Sequence, residues 1–355
     1  MSLLNKKIRL KDIAKASNVS ISTASRALNE SDHISPATRK KVQAEAMRQN
    51  YTPGKSVKPG DRSKPSRYMS SSIQSPCLVI VECGLTHSFF AESLIEIAST
   101  STALGYEAKF IQLDSNASTA ECLEKALILH PCAIIFITWG DLAEADAIVI
   151  DKCGVPVVLI NRHIAGYGNS VTLDDFSAGV RIARYFYNMG HRRIAHLMGQ
   201  DSTAVRERAQ GMRCELERLS CYDPQLFELV HDDYCFDSVN HCVRKFLAAS
   251  PPVTAIWAYR DAVATIALTA ISAAGLKVPG DISIAGFNNT EQMRSLKLTS
   301  FDNRLADLGR EAVCIVNDLI RKQNQGPKRV CLIPTFIEGT TVGPVPTTPI
   351  NRPSR

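Results

Sequence analysis

Residues 10–29 read Leu-Lys-Asp-Ile-Ala-Lys-Ala-Ser-Asn-Val-Ser-Ile-Ser-Thr-Ala-Ser-Arg-Ala-Leu-Asn, and this stretch decides the fold of the N-terminus. Leu10, Ile13 and Ala14 recur at helical spacing, and Asn18-Val19-Ser20 interrupts that helix. Ser20 is a suitable N-cap for a second helix. At about 100° per residue, Ser22, Ser25, Arg26 and Asn29 share one face of it, while Ala24 and Leu28 point the other way. The apolar face can pack on the first helix, leaving a strip of donors and acceptors outside. Two short helices around a tight turn, the second with a polar outer face, form a helix-turn-helix suited to the DNA major groove.

The charge distribution points to the same end of the chain. Residues 1–67 carry 15 Lys/Arg against 5 Asp/Glu, whereas the remainder carries 26 against 30, so the net +6 conceals a basic head on a mildly acidic body. Only the head is expected to meet a polyanion. No basic start followed by an apolar run marks a signal peptide, and no stretch of about 18 apolar residues marks a membrane span. The expected location is the cytoplasm. The 11 cysteines are scattered without C-x-x-C or Cys/His spacing, so no metal site is expected and no cofactor either. Cys77, Cys132, Cys314 and Cys331 lie in apolar runs and read as reduced, buried small hydrophobes.

Ser35-Pro36 starts a third helix that runs from Thr38 to Asn50, with Val42, Ala46 and Met47 covering the first two. Residues 55–76, rich in Ser, Pro, Gly and basic residues, read as a flexible linker. From Cys77 the chain alternates short apolar strands with amphipathic helices. The strands are expected at Cys77–Cys83, Ala108–Leu113, Ala133–Trp139, Val155–Asn161, Val171–Leu173, Ile194–Met198, Phe227–Val230, Ala255–Tyr259 and Ile282–Phe287. This alternation predicts parallel sheets covered on both faces, and some 270 residues exceed a single core. Two lobes are therefore expected. Residues 344–355, with repeated prolines, read as a disordered tail.

The chain resembles the LacI/GalR family of bacterial transcription regulators over nearly its whole length. In the head the resemblance rests on Leu10-x-Asp12-Ile13-Ala14, Val19-Ser20, Thr23-x-Ser25-Arg26, Leu28-Asn29, Ser35, Thr38-Arg39, Val42 and Tyr51-x-Pro53. In the body it rests on Gly190-His191-Arg192-Arg193-Ile194, Arg208-x-x-Gly211, Asp261, Val278-Pro279-x-Asp281, Gly286-Phe287 and Gly309. It implies an all-α helix-turn-helix head-piece (1–54), the linker (55–76) and a two-lobed α/β body like periplasmic binding proteins of type I. The first lobe would take 77–163 and 304–327, the second 164–303 and 328–343. A homodimer or dimer of dimers is implied, with a double-stranded DNA operator as partner and a small effector in the cleft.

The resemblance places Ile21, Ser22 and Arg26 at base-reading positions. Arg26 can contact guanine in a bidentate manner, and Ile21 can meet a thymine methyl. Ser20, Thr23, Ser25, Asn29, His33, Ser35 and Thr38 suit phosphates, although Ser20 and Ser35 serve equally as helix caps. Three departures from the family stand out: Arg9 replaces the usual Thr at the first cap, the linker lacks a helix-forming Ala/Leu segment, and the pocket differs. Lys55 and Lys58 of the linker can follow phosphates instead. For the effector the resemblance implies Phe89 or Phe90 (one of which can equally be an apolar helix start), Arg208, Tyr234 and Asp261. Asn161 and Asn288 stand where carboxylates are frequent, and Arg260 replaces a neutral residue. These changes point to a nucleoside, a modified sugar or a sugar phosphate.

The function expected is thus a DNA-binding regulator, a repressor of catabolic genes controlled by an effector. The alternative is a solute-binding module without DNA binding. No Walker loop, G-x-S-x-G elbow or zinc motif points to an enzyme. Because Gly54, Pro59 and Gly60 oppose a hinge helix, inserting one or two base pairs between operator half-sites is expected to cost little affinity in gel retardation. A steep loss would mean a rigid hinge.

Overall fold

The computed structural model describes residues 10–28, 34–48, 75–83, 88–114, 116–138, 140–199, 202–322 and 326–346. Asn29, His33, Lys55 and Lys58, the linker to residue 74, Trp139 and the tail from 347 lie outside the described residues. The chain divides into two units, Met1–Ser70 and Ser71–Arg355.

In the first unit, α1 (Leu10–Ala16), α2 (Ile21–Leu28) and α3 (Pro36–Arg48) follow the predicted order. Asn18 takes a left-handed φ of 52°, a conformation Asn tolerates better than most residues. It ends α1 and lets the Val19 amide return to the Ala14 carbonyl at 3.0 Å. Ile13, Ala14, Ala24, Ala27, Val42 and Ala46 form the small core. Four of these six are alanines, so the helices approach closely.

The second unit begins with β1 (Cys77–Cys83), α4 (Ala91–Ala103), β2 (Glu107–Leu113), α5 (Thr119–Leu127), β3 (Ala133–Thr138), α6 (Glu144–Asp151), β4 (Val157–Ile160) and β5 (Ser170–Leu173). It continues with α7 (Asp175–Asn188), β6 (Ile194–Met198), α8 (Thr203–Arg218), β7 (Phe227–Leu229), α9 (Phe236–Ala248), β8 (Ala255–Ala258) and α10 (Asp261–Ala273). It ends with β9 (Ser283–Ala285), α11 (Glu291–Ser295), β10 (Ser300–Asp302), α12 (Leu305–Ile320), β11 (Arg329–Leu332) and β12 (Thr335–Ile337). One sheet has the order β11-β5-β4-β3-β1-β2, another β7-β6-β8-β9, and β10 pairs with β12. Pairings within the two larger sheets are all parallel. β3, β4 and β5 are buried along their whole length, which explains their uninterrupted apolar or small residues. Helices α4 and α12 pack on one face of the first sheet and α5 and α6 on the other. In the second lobe α9 and α10 cover one face, α7 and α8 the other.

The lobe boundary expected near residues 164 and 328 needs correction. β5 is hydrogen-bonded between β4 and β11, so both β5 and β11 belong to the first sheet. The chain crosses between lobes only after Leu173, after Asp302 and after Leu332. The resemblance alone had placed β11 in the second lobe; its alternating exposure is that of an edge strand of the first sheet. The cysteine expectation is also corrected. All 11 are free, but Cys331 is exposed and Cys77, Cys132 and Cys314 are only half-buried, whereas Cys83, Cys122 and Cys242 are buried.

Helices α7 and α8 touch backbone to backbone. A Cβ at Gly179 would lie 2.1 Å from the Arg208 carbonyl oxygen, and one at Gly211 would lie 2.0 Å from that of Phe176. Behind them His196 stacks on Trp257 at 4.7 Å, and its Nδ1 donates to the Trp257 carbonyl at 3.0 Å. Complete burial pushes this imidazole down to about 4. Its folded value lies below the usual 6.5, so the stability it contributes is full above pH 6.5 and lost as pH falls through 4. Between pH 7.5 and 5 this loss is expected to reach about 2 kcal/mol. His196→Asn keeps a donor to the carbonyl but does not titrate. Urea unfolding should show the stability gap between wild type and variant closing as pH falls. A constant gap would mean that His196 takes up its proton alike in the folded and unfolded chain.

Candidate functional site

Two surfaces carry the residues expected from the sequence. In the head, the Ser20 hydroxyl accepts from the Thr23 amide at 3.0 Å and caps α2. The Ser35 hydroxyl accepts from the Thr38 amide at 3.2 Å, capping α3, and donates to the Thr38 hydroxyl at 2.9 Å. Ile21 is 55% exposed although it is apolar. Ser22 and Arg26 are exposed as well, while Thr23 and Ser25 are half-buried. Thus α2 buries Ala24 and Ala27 and presents Ile21, Ser22 and Arg26 outward. An exposed isoleucine beside a serine and an arginine gives apolar, neutral-polar and cationic contacts on one short helix. That combination matches the chemistry of base edges and phosphates.

In the body, three strand ends and two helix starts bring most of the expected cleft residues into one network. Arg208 Nε lies 2.8 Å from Asp175 Oδ1, and its Nη1 donates to the Tyr259 carbonyl at 2.7 Å. Its guanidinium lies 4.0 Å from the centroid of the Phe287 ring. Burial pushes the Asp175 carboxyl up against the opposing pull of Arg208 and Arg162. Arg260 Nη2 meets Asp233 Oδ2 at 2.5 Å, and the Tyr259 hydroxyl donates to the same oxygen. The Arg260 guanidinium also lies 4.6 Å from the Tyr234 ring centroid. Tyr234 is 63% exposed, so one ring face rests on a cation while the residue remains open to solvent.

Asn288 takes a φ of 116°, and its Oδ1 accepts from Asn303 Nδ2 at 2.9 Å. Asn303 is buried. The pair thus presents uncharged donors and acceptors beside Phe287. Asn161, with a φ of 68°, lines a cavity of about 350 Å3 together with Arg162, Asp175, Phe176, Thr203 and Glu207. Both lobes contribute to that lining.

Two expectations fail. Phe90 is fully buried in the first lobe's core, edge-on to Phe89 at 4.8 Å. It opens α4 as a packing residue and has no face left for a ligand; Phe89 is half-buried. Asp261 is 1% exposed, and it faces inward. Its oxygens accept from the Ser300 hydroxyl at 2.7 Å and the Thr290 amide at 3.0 Å, tying down the loop that carries Asn288. Burial pushes its carboxyl up to about 6.

Sequence reasoning missed Asp141, Arg162, Asp233 and Asn303. None stands in a recognisable motif, and each acts only because the fold brings a distant partner to it. Every cleft guanidinium described above has a carboxylate: Arg208 has Asp175, Arg260 has Asp233, and Arg162 has Asp141 at 3.4 Å. Arg294 lies 3.6 Å from Glu92 and 3.7 Å from Asp302, linking the lobes. Among the described residues no group of His, Cys, Asp and Glu could hold a metal ion, and no helix is long and apolar enough to cross a membrane.

Comparison with known proteins gives a match in the head and another in the body. Residues 9–54 match the profile "Bacterial regulatory proteins, lacI family", and residues 183–342 match "Periplasmic binding protein-like domain". The chain is 27% identical over 345 residues to the HTH-type transcriptional repressor CytR of Escherichia coli strain K12, covering 94% of this chain and 96% of that one. It is 28% identical over 285 residues to the probable HTH-type transcriptional repressor ExuR of Bacillus subtilis, covering 79% and 82%. Among solved structures it is similar in fold to the Lac repressor dimer bound to operator and the anti-inducer ONPF. That likeness has a TM-score of 0.68 at 23% identity and covers 95% of this chain and 100% of the other. A transcriptional regulator CelR–cellobiose complex gives a TM-score of 0.66 at 23% identity over 94% and 99%.

The buried Arg208–Asp175 pair gives a direct test of the network. Arg208→Met leaves the Asp175 carboxylate buried without its partner and is expected to cost about 3 kcal/mol in urea unfolding. Adding Asp175→Leu should restore most of that loss. If the single variant is as stable as wild type, the pair is not closed in solution.

Proposed function

We infer that this chain, a member of the lacI family of bacterial regulatory proteins, is a transcriptional repressor whose grip on DNA is set by a small molecule in the body's cleft. The observation that carries the reading is the outward face of α2, where Ile21, Ser22 and Arg26 stand exposed above an alanine core. Arg26 reads a guanine, Ser22 a neighbouring base edge and Ile21 a thymine methyl. Ser20, Thr23, Ser25, Ser35 and Thr38 fix the register on the phosphates, joined by Asn29, His33, Lys55 and Lys58. Two heads on a homodimer address two half-sites, as in the Lac repressor dimer bound to its operator. The protein acts in the cytoplasm, where its DNA is.

The proposed division is a head of 1–54, a linker of 55–76 and a body whose first lobe takes 77–173 and 305–332. The second lobe takes 175–302 and 335–343. The effector lies between Tyr234, Arg208, Asn288 and Asn161. Arg329 also lines the cavity, but the guanidinium groups of Arg162, Arg208 and Arg260 are each matched by a carboxylate, which favours an uncharged polar molecule, a sugar or a nucleoside, over a sugar phosphate. A related CelR was crystallised with cellobiose, which agrees with a neutral polyol. Effector binding changes the relative population of open and closed lobes and thereby the spacing of the heads.

Arg26→Ala is expected to abolish preference for the operator while salt-sensitive binding to random DNA persists. Competition gel retardation against random fragments measures this ratio. Equal loss of binding to both DNAs would sink the assignment of Arg26 to base reading.

A further inference from the structure

Five ionised side chains of alternating sign run from one lobe of the body to the other. Arg206 Nη2 donates to Asp141 Oδ2 at 3.0 Å, and Asp141 Oδ1 lies 3.4 Å from Arg162 Nε. Arg162 is attracted by Asp175 as well as by Asp141, and Asp175 Oδ1 lies 2.8 Å from Arg208 Nε. Asp141 and Arg162 follow β3 and β4 of the first lobe. Asp175 opens α7, and both Arg206 and Arg208 stand on α8 of the second lobe.

Asp141 does a second thing. Its two oxygens accept from the Thr203 backbone amide at 3.0 and 2.9 Å, so a carboxylate of one lobe caps the first turn of a helix in the other. Burial pushes the Asp141 carboxyl up, but the Thr203 amide and hydroxyl and the charges of Arg162 and Arg206 outweigh it and hold it below the usual range. It is therefore ionised at neutral pH.

The consequence follows from the burial of Arg162, which is only 5% exposed. A guanidinium in that position needs a counter-charge. Asp141 and then Asp175 carry most of the task, with a smaller share from Glu207. Without the charge on Asp141, Arg162 leans more heavily on Asp175, the next strongest of its carboxylates, and Asp175 is what holds Arg208. We propose that Asp141 is a positioning residue for the effector site: by satisfying Arg162 it leaves Asp175 free to hold Arg208, and by capping α8 it draws the two lobes together. The role rests on the reading of Arg208 as an effector contact, but its test uses neither effector nor DNA, so the two fail separately.

Hydrogen–deuterium exchange with mass spectrometry on the full chain reads both actions. In Asp141→Ala, which removes both the charge and the acceptor, exchange at residues 203–206 is expected to rise about tenfold as the cap is lost. Exchange at 175–178, the first turn of α7, should rise several-fold as Asp175 is drawn to Arg162. Adding Arg162→Met should return 175–178 to the wild-type rate while 203–206 stays fast. A rise confined to 203–206, a rise at 175–178 that Arg162→Met does not reverse, or no rise anywhere overturns the proposal. Should Asp141→Ala lose protection throughout β3 and β8, Asp141→Glu decides, since it keeps the charge on a longer arm. Fast exchange at 203–206 with 175–178 unchanged then supports the role, and any other pattern overturns it.

Discussion

A guanidinium removed from water must be met by an opposite charge, and the body of this protein is organised around that requirement. Arg162 and Arg208 are both largely buried where the two lobes face each other. Their carboxylate partners come from different parts of the chain: Asp141 from the loop after β3, Asp175 from the start of α7. Each pair lies within one lobe, and the two lobes are joined where Asp141 also meets Arg206 and the Thr203 amide. These contacts of Asp141 do what an apolar interface would do less selectively, since they hold the lobes in one register. Buried pairs of this kind add little net stability but penalise any arrangement that breaks them. Such a penalty suits a device with a small number of discrete states.

The head depends on a different and simpler constraint. Its core is mostly alanine, so the three helices approach closely and little apolar area is available to stabilise them. Hydroxyl caps from Ser20 and Ser35 supply part of what the core lacks. The same smallness leaves room on α2 for an exposed isoleucine, which a domain with a larger core would have buried.

Much of this was legible in the sequence because it is local. The helix-turn-helix depends on neighbours three or four residues apart, and the strands of the parallel sheets are continuous apolar runs. The boundaries of β1 and β6 match to the residue, since turn-forming residues bracket both. What the sequence hid is non-local. β5 and β11 are short, and their place in the first sheet follows from pairing with each other across more than 150 residues. Phe90 and Asp261 resemble ligand contacts by position, yet one is packing and the other braces a loop, because side-chain direction depends on elements far along the chain. Arg162 gives no signal at all, for its burial is a property of two lobes meeting.

The contact between α7 and α8 carries one further implication. With a carbonyl seated against Gly179 and another against Gly211, neither helix can slide along or roll about its companion without collision. A lineage of such proteins is thus free to exchange the side chains that line the rim. It cannot retune itself by shifting this helical pair, and a single added methyl at either glycine would wedge the two apart.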